Sequence, residues 1–541
     1  KLFSKNYWFL TICNVFLLQF SYNVLRPGFE NIYLLPRPRL SVNGLKNSTS
    51  TDIYQPHETT ELDSLLDLVK WPYCPLKVFT FNDSTSPKET QFHILNRKAL
   101  YRVGETLEVL IMAKDHRGQL KTCGGDFFQA KLHSPKRKAG VTGQLKDYGN
   151  GSYLATFFLP WPGDAQVNVR LIHSSEAIAV LKEKRDKYPE KVSSVYFNGY
   201  FESKGVREIT ECNLKVSGKD VCEYKDPVSG DIWQCVRPKK LPCDARRYHS
   251  TGGRRIVTTS FEYDLLNGAV TNQNIPSSEP PIKVVQVNNT MENLIFKLPV
   301  CKTGQEPPQP SGYYYKDKWT SLVCLAQHFP RSDDACACLR GRDIYMLGDS
   351  TLRQWFEYLE NFIPSLKRID LHLNYKSGPL LAVDPDYGIV MRWRAHGLPL
   401  MTSKTIVANM QYEAAQISQI GGGPYTVVVI TLWAHLTTYP LDFYLQRLAR
   451  VRKAVESLLT RSPKTTVLIK SANTGYKSVY GSDWLSLQLD VLIRAAFKGM
   501  AVTVLDVWDM TSCHYLRDRI HPGLPVIRNE VDLMLSYICP T

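Results

Sequence analysis

The chain has 541 residues, 43% of them hydrophobic and 22% charged, which is enough apolar material for full cores and predicts about three domains. Its net charge of +15 is diffuse, with short basic clusters such as Lys136-Arg137-Lys138 and Arg254-Arg255. No arginine-rich helix or RNP-type aromatic pattern accompanies them, so a nucleic-acid partner is not expected; the charge suits anionic glycans or a membrane surface equally.

The first element in chain order is the mostly apolar stretch Tyr7–Leu25, preceded by Lys1 and Lys5 and followed by Arg26-Pro27. It reads as a signal peptide or a short type II signal-anchor (1–25), and the lack of a small-residue cleavage pattern favours the anchor. It is the one membrane contact expected. Residues 26–65 are polar and Pro-punctuated, as a stem would be. Sequons at Asn47, Asn82, Asn150 and Asn288 point to the secretory pathway, either the Golgi lumen or secretion. Thirteen cysteines are present, Cys13 inside the apolar stretch. The other twelve form an even set, as expected for lumenal disulfides, without indicating which pairs with which. Their spacings fit no zinc pattern, so no metal is expected.

Between 66 and 185, short strands are predicted at Thr106–Ala113, Phe127–Leu132, Ser152–Leu159 and Gln166–Ile172, bounded by turns such as Tyr148-Gly-Asn-Gly151. Val167, Val169 and Leu171 alternate with polar residues, the mark of a sheet with one buried face, and several such strands argue for a β-sandwich. The blocks Tyr101-Arg-Val-Gly-Glu-Thr-Leu107, Gly124-Gly-Asp-Phe-Phe-Gln-Ala-Lys-Leu132, Asn150-Gly-Ser-Tyr-Leu-Ala-Thr156 and Trp161-Pro-Gly-Asp164 resemble neurexophilins. That resemblance implies an immunoglobulin-like module that binds a protein ligand and has no enzymatic role of its own. Residues 186–312 hold Cys212, Cys222, Cys235, Cys243 and Cys301 and read as a disulfide-tied connector with small strands.

From 313 to 541, strand-like runs Arg342–Leu347, Thr426–Leu432, Thr465–Lys470 and Val502–Val507 alternate with helical segments. In Asp442–Thr460, Leu445, Leu448, Val451, Val455 and Leu458 share one face; Leu352–Phe362, Trp484–Phe497 and Pro525–Ile538 are further helices. This alternation predicts a three-layer α/β/α domain with a mainly parallel sheet, whose site lies beyond the carboxyl ends of its strands.

Two short motifs carry the chemistry. Gly348-Asp349-Ser350 follows the first strand and opens a helix, where backbone N–H groups can stabilise a developing oxyanion. Asp518-Arg-Ile-His521 follows the last strand, and of twelve histidines only His521 has an aspartate three residues before it. Together they supply a nucleophile, a base and an orienting carboxylate. Asp506 and Asp509 are competing orienters of His521.

Gly348-Asp349-Ser350-Thr-Leu-Arg-Gln-Trp355 and Asp518-Arg-Ile-His521 resemble the PC-esterase group of SGNH-type acyl hydrolases and acyltransferases, and the two halves together resemble the neurexophilin and PC-esterase domain family. The resemblance implies that Ser350 is the nucleophile, His521 its base and Asp518 the group orienting that base. It also implies an oxyanion-binding Gly and Asn, yet Trp433-Ala-His435 follows the central strand without an asparagine. Asn473, or backbone groups near Gly378, are the substitutes; Trp433 and His435 are candidates to line the pocket, although a lone histidine beside a strand more often makes a structural hydrogen bond. The expected activity is an O-acetyltransferase moving acetyl through an acyl-serine to glycan hydroxyls, sialic acids foremost, with acetyl-CoA as donor and no tightly bound cofactor. A glycan or lipid acyl-esterase, or a binding glycoprotein with a degenerate esterase domain, are the alternatives.

Overall fold

The computed structural model describes residues 64–540 except 73, 75–79, 188–194, 219, 287–294, 296, 476, 479 and 480. The apolar stretch 1–25, the stem, Cys13, Asn47 and Asn288 therefore lie outside the described residues. Everything below concerns the compact unit that begins at Thr49 and runs to Thr541.

The first half is built from two sheets that share one core. A four-stranded sheet orders 91–94, 106–112, 152–158 and 144–147. The larger sheet runs 318–321, 312–315, 139–142, 127–134, 163–173, 282–285 and 101–102. Val109, Ile111, Ala155 and Phe157 from the first interdigitate with Ala130, Leu132, Val141 and Val169 from the second. Strand Phe127–Ser134 alternates as its sequence predicts, with Phe128, Ala130 and Leu132 turned into that core. The larger sheet also takes strands 282–285, 312–315 and 318–321, which lie beyond residue 185, so the sandwich closes only with chain drawn from the later segments. The narrower immunoglobulin-like assignment rests on the resemblance alone.

The connector holds longer strands than its sequence suggests. Val195–Ser203 and Arg246–Arg254 are nine residues each and sit in a six-stranded sheet tied by Cys212–Cys235 and Cys222–Cys243. Its edge strand Thr405–Ile406 comes from the C-terminal half, which interlocks the two.

Elements of the C-terminal half are numbered from residue 332. Strands β1 (Asp343–Leu347), β2 (Lys367–Ile369), β3 (Leu380–Asp384), β4 (Ile389–Arg394), β5 (Thr426–Ile430), β6 (Thr466–Lys470) and β7 (Thr503–Leu505) form one mixed sheet in the order β2-β3-β4-β1-β5-β6-β7. The five strands β4-β1-β5-β6-β7 are parallel, and β2 and β3 add an antiparallel edge. All five residues of β5 are buried, as a strand covered on both faces requires. Val427 and Val429 face one core with Ile344, Met346 and Leu468, and Val428 and Ile430 face the other with Leu347, Val467 and Ile469.

The first of those cores is covered by α1 (Ser332–Leu339), α2 (Ser350–Phe362), α6 (Val507–Cys513) and α7 (Leu524–Ile538). The second is covered by α3 (Glu413–Ser418), α4 (Leu441–Arg461) and α5 (Asp483–Ala496). The predicted apolar face of α4 is the one that packs: Leu445, Leu448, Val451, Val455 and Leu458 are all buried. Burial of each such side chain contributes about 1.5–3 kcal/mol relative to exposure.

Ten of the twelve cysteines counted in sequence are paired, as Cys74–Cys123, Cys301–Cys324, Cys338–Cys539 and the two bonds above. The expectation of a fully paired set fails at Cys336 and Cys513, which are buried free thiols packed in the α7-side core and away from solvent. Cys338–Cys539 closes a sequence separation of 201 residues and pins α1 to the end of α7. A loop of that length restricts the unfolded chain by about 5 kcal/mol in the chain-entropy account. The Cys338→Ser/Cys539→Ser chain is therefore expected to lose roughly 2–5 kcal/mol in denaturant unfolding. A loss under about 1 kcal/mol would show that the unfolded chain is already restricted in this region.

Candidate functional site

The site forms where strand order reverses. β4 lies on one side of β1 and β5 on the other, so a crevice opens beyond the carboxyl ends of β1 and β5. Leu347 pairs with Ile430, which puts Gly348 beside Thr431. Gly348 has φ +154°, and a Cβ there would lie inside contact distance of the Thr431 carbonyl oxygen and methyl. Only glycine lets the two strand ends approach so closely.

Asp349 caps α2. Its Oδ1 accepts from the Thr351 backbone N–H at 2.8 Å and the Thr351 hydroxyl at 2.7 Å, and its Oδ2 accepts from the Ala434 backbone N–H at 3.1 Å. This buried carboxylate thereby joins the turn after β1 to the turn after β5. Burial alone would raise its pKa, but His435, Lys470 and the Thr351 bonds outweigh that and hold it below the ordinary value.

Ser350 is the first residue of α2, and its Oγ lies 2.8 Å from Nε2 of His521, 171 residues later in the chain. The structure thus brings together the nucleophile and base candidates. His521 is exposed on one side, but partial desolvation pulls its pKa below the usual histidine value, opposed first by the Asp349 charge. Desolvation dominates because loss of water costs the charged ring more than the neutral one. Asp349, not assigned an acid role in sequence, is a carboxylate whose charge favours the protonated His521 ring, as does that of Glu357.

Asp518 forms an ion pair that its spacing did not suggest. Its Oδ1 and Oδ2 accept from Nη1 and Nη2 of Arg170 at 2.6 and 2.7 Å, a two-pronged ion pair with a residue of the sandwich. The competing orienters are also engaged elsewhere. Asp506 accepts from Arg494 at 2.9 Å, and Asp509 accepts from Ser311 N–H and hydroxyl at 2.8 and 3.0 Å.

Asn473 is fully buried. Its Nδ2 donates to the Ile520 carbonyl at 2.8 Å, and its Oδ1 accepts from Lys470 Nζ at 2.5 Å. It supports the loop immediately before His521. Lys470 was missed in sequence because a lysine ending a strand ordinarily reaches solvent, whereas this one is 1% exposed. Burial pulls its ammonium below the ordinary value, against the charges of Glu530, Asp349 and Asp490. Trp433 is buried after β5. His435 is partly exposed, and burial pushes its pKa down to about 4. Its Nδ1 meets Nε2 of His396 at 2.9 Å, and Nδ1 of His396 lies 2.8 Å from the Gly397 carbonyl. A carbonyl only accepts, so His396 carries its proton on Nδ1. Neutral His396 then accepts at Nε2, and His435 is the Nδ1–H tautomer with Nε2 bare.

Of the sequons, Asn82 and Asn150 are exposed, and Asn150 sits in the turn before strand 152–158. No helix among the described residues is long and apolar enough to cross a membrane.

Fold and site define a multidomain, sheet-rich, disulfide-tied protein with a serine–histidine pair at the crevice of a mixed sheet. Two families match it: residues 57–272 match the family described as Neurexophilin, and residues 319–539 match that described as NXPE family member 4-like, C-terminal domain. Together these matches support a neurexophilin- and NXPE-like family for the chain, consistent with a secreted or lumenal glycoprotein. Among solved structures, the chain is 14% identical to FdeC, an Escherichia coli adhesin, over 38% of this chain and 66% of that one. The TM-score is 0.14, too low to carry any argument about fold.

Proposed function

We propose that the protein is a lumenal acyl-ester enzyme, an O-acetyltransferase that passes acetyl through an acyl-Ser350 to glycan hydroxyls, sialic acids being the acceptor class that the net positive charge suits. One observation carries the reading: the 2.8 Å approach of Ser350 Oγ to His521 Nε2, on the first residue of a helix at the crevice of a mixed sheet. There His521 takes the serine proton as Oγ attacks the donor carbonyl, and the Ser350 N–H and the helix N-terminus face the developing oxyanion. His521 then returns the proton to the leaving group, deprotonates the incoming hydroxyl as that oxygen attacks the acyl carbonyl, and hands this proton to Ser350 Oγ as the acyl–serine bond breaks. Acetyl-CoA is the proposed donor on chemical grounds, with no residues assigned to it. Water in place of the sugar hydroxyl would make the same site an esterase, and exclusion of water decides between them.

The test is O-acetylation of sialoglycans in cells expressing the native chain or Ser350→Ala, with mild alkali to verify the ester. An alkali-labile gain restricted to the native chain supports the transferase. A fall in existing acetylation supports the esterase, and no change with normal expression rejects the sialate reading.

The base must be neutral to work, and the His521 pKa is lowered from 6.5. Ser350 reactivity is therefore expected to hold below pH 6.5, with the acid limb of the rate profile centred under that value. A limb centred above it would mean that a different group takes the proton.

A further inference from the structure

The polar face of the sandwich is the feature the proposed chemistry leaves unused. On strand Phe127–Ser134, Gln129 and Lys131 point away from the sandwich core, and Arg170 pairs with Gln129 on the neighbouring strand Gly163–His173. Two of the three grip the segment that leads to His521. Lys131 Nζ donates to the carbonyls of His514 and Leu516 at 2.6 and 3.2 Å. Arg170 clasps both oxygens of Asp518 and donates to Gln129 Oε1 at 2.5 Å. Gln129 Nε2 in turn reaches Asp483 Oδ2 at 3.3 Å, and Asp483 accepts from the Gly475 N–H at 2.9 Å. Along 516–521 the side chains of Leu516, Arg517, Arg519 and His521 are exposed, and Asp518 alone is buried. Ile520 is the apolar side chain of this loop that packs against the core under α4 and α5, and the hold on Asp518 gives the loop that carries the imidazole a second anchor.

We infer that the sandwich is a positioning element of the Ser350 site, and that Arg170, by its two-pronged hold on Asp518, fixes the loop that presents His521 to Ser350. The planar guanidinium sets both distance and direction for the carboxylate, which a lysine cannot do. Asn473 holds the same loop from the other side through the Ile520 carbonyl. The base is therefore suspended between the two halves of the chain, and Arg170 acts through Asp518 without touching substrate. The inference rests on the reading of Ser350 as a nucleophile.

The experiment measures inactivation by a fluorophosphonate, resolved into a binding constant and a first-order rate constant, for the native chain, Arg170→Lys and Arg170→Met/Asp518→Met. Lysine keeps the positive charge opposite Asp518, and the double change removes both charges together, so that neither is left buried without its partner. Both variants are expected to remain folded by circular dichroism. The first-order constant is expected to fall about 10²-fold in the double variant and less in Arg170→Lys, with the binding constant within about threefold, because misplacing a reacting group by about 1 Å has that effect. A native chain that reacts and variants that react at the native rate would overturn the positioning role. A native chain in which Ser350 does not react would overturn the nucleophile reading instead. If the double variant does not fold, Arg170→Lys decides: an unchanged rate constant overturns the inference, and a fall confined to that constant supports it.

Discussion

A Ser350→Ala chain is expected to fold as the native one does and to lose acyl transfer by on the order of 10⁴–10⁶-fold. The helix start does not depend on the serine, since Asp349 caps α2 through Thr351 and also binds Ala434. The hydrogen bond lost is the one from Oγ to His521, on the exposed side of the site. His521→Gln should have nearly the same effect, because a serine hydroxyl without a proton acceptor is a poor nucleophile at neutral pH. The double variant should be scarcely worse than either single one, as groups acting in one step are not additive. Initial rates of acetyl transfer, with melting temperature as the control for folding, check this. Additive losses would mean that the two residues act in separate steps.

The second large effect is on stability. Lys470→Met is expected to cost about 3–5 kcal/mol in denaturant unfolding, because it leaves buried acids without their cation. Lys470 bonds Asn473 at 2.5 Å and the Ser471 carbonyl at 3.3 Å, and its ammonium is 5.7 Å from the Trp355 ring centre. Trp355 donates to Glu530 at 2.6 Å, and burial pushes the Glu530 carboxyl up to about 7. Met matches lysine in length, so the loss reflects charge and hydrogen bonding more than volume. Freed from Lys470, Asn473 also holds the Ile520 carbonyl less firmly, and Ser350 reactivity should fall with stability. A loss below about 1 kcal/mol would contradict this role for Lys470.

What could be read from sequence divides along physical lines. Local periodicity placed α4 at Asp442–Thr460 against the observed Leu441–Arg461, because its apolar residues recur every 3.6 positions and that face is buried. The strand expected at Gln166–Ile172 is Gly163–His173 for the parallel reason. Ser350 and His521 stood out because each lies in a short motif of reactive residue types, and the structure brings them within 2.8 Å of each other. The ion pair of Asp518 with Arg170 was not legible, since Arg170 is 348 positions away and only sheet pairing brings it there. The strands 282–285, 312–315 and 318–321 were assigned outside the sandwich because strand pairing over such separations leaves no local trace. Cys336 and Cys513 count towards an even total yet stay unpaired, which a count cannot reveal.

The most direct test of the account is mass-spectrometric mapping of a fluorophosphonate adduct on the native chain and on His521→Gln. The account predicts an adduct on Ser350 in the native chain and labelling slowed on the order of 10³-fold or more in the variant. No adduct on folded native protein, or equal labelling of both, would contradict it.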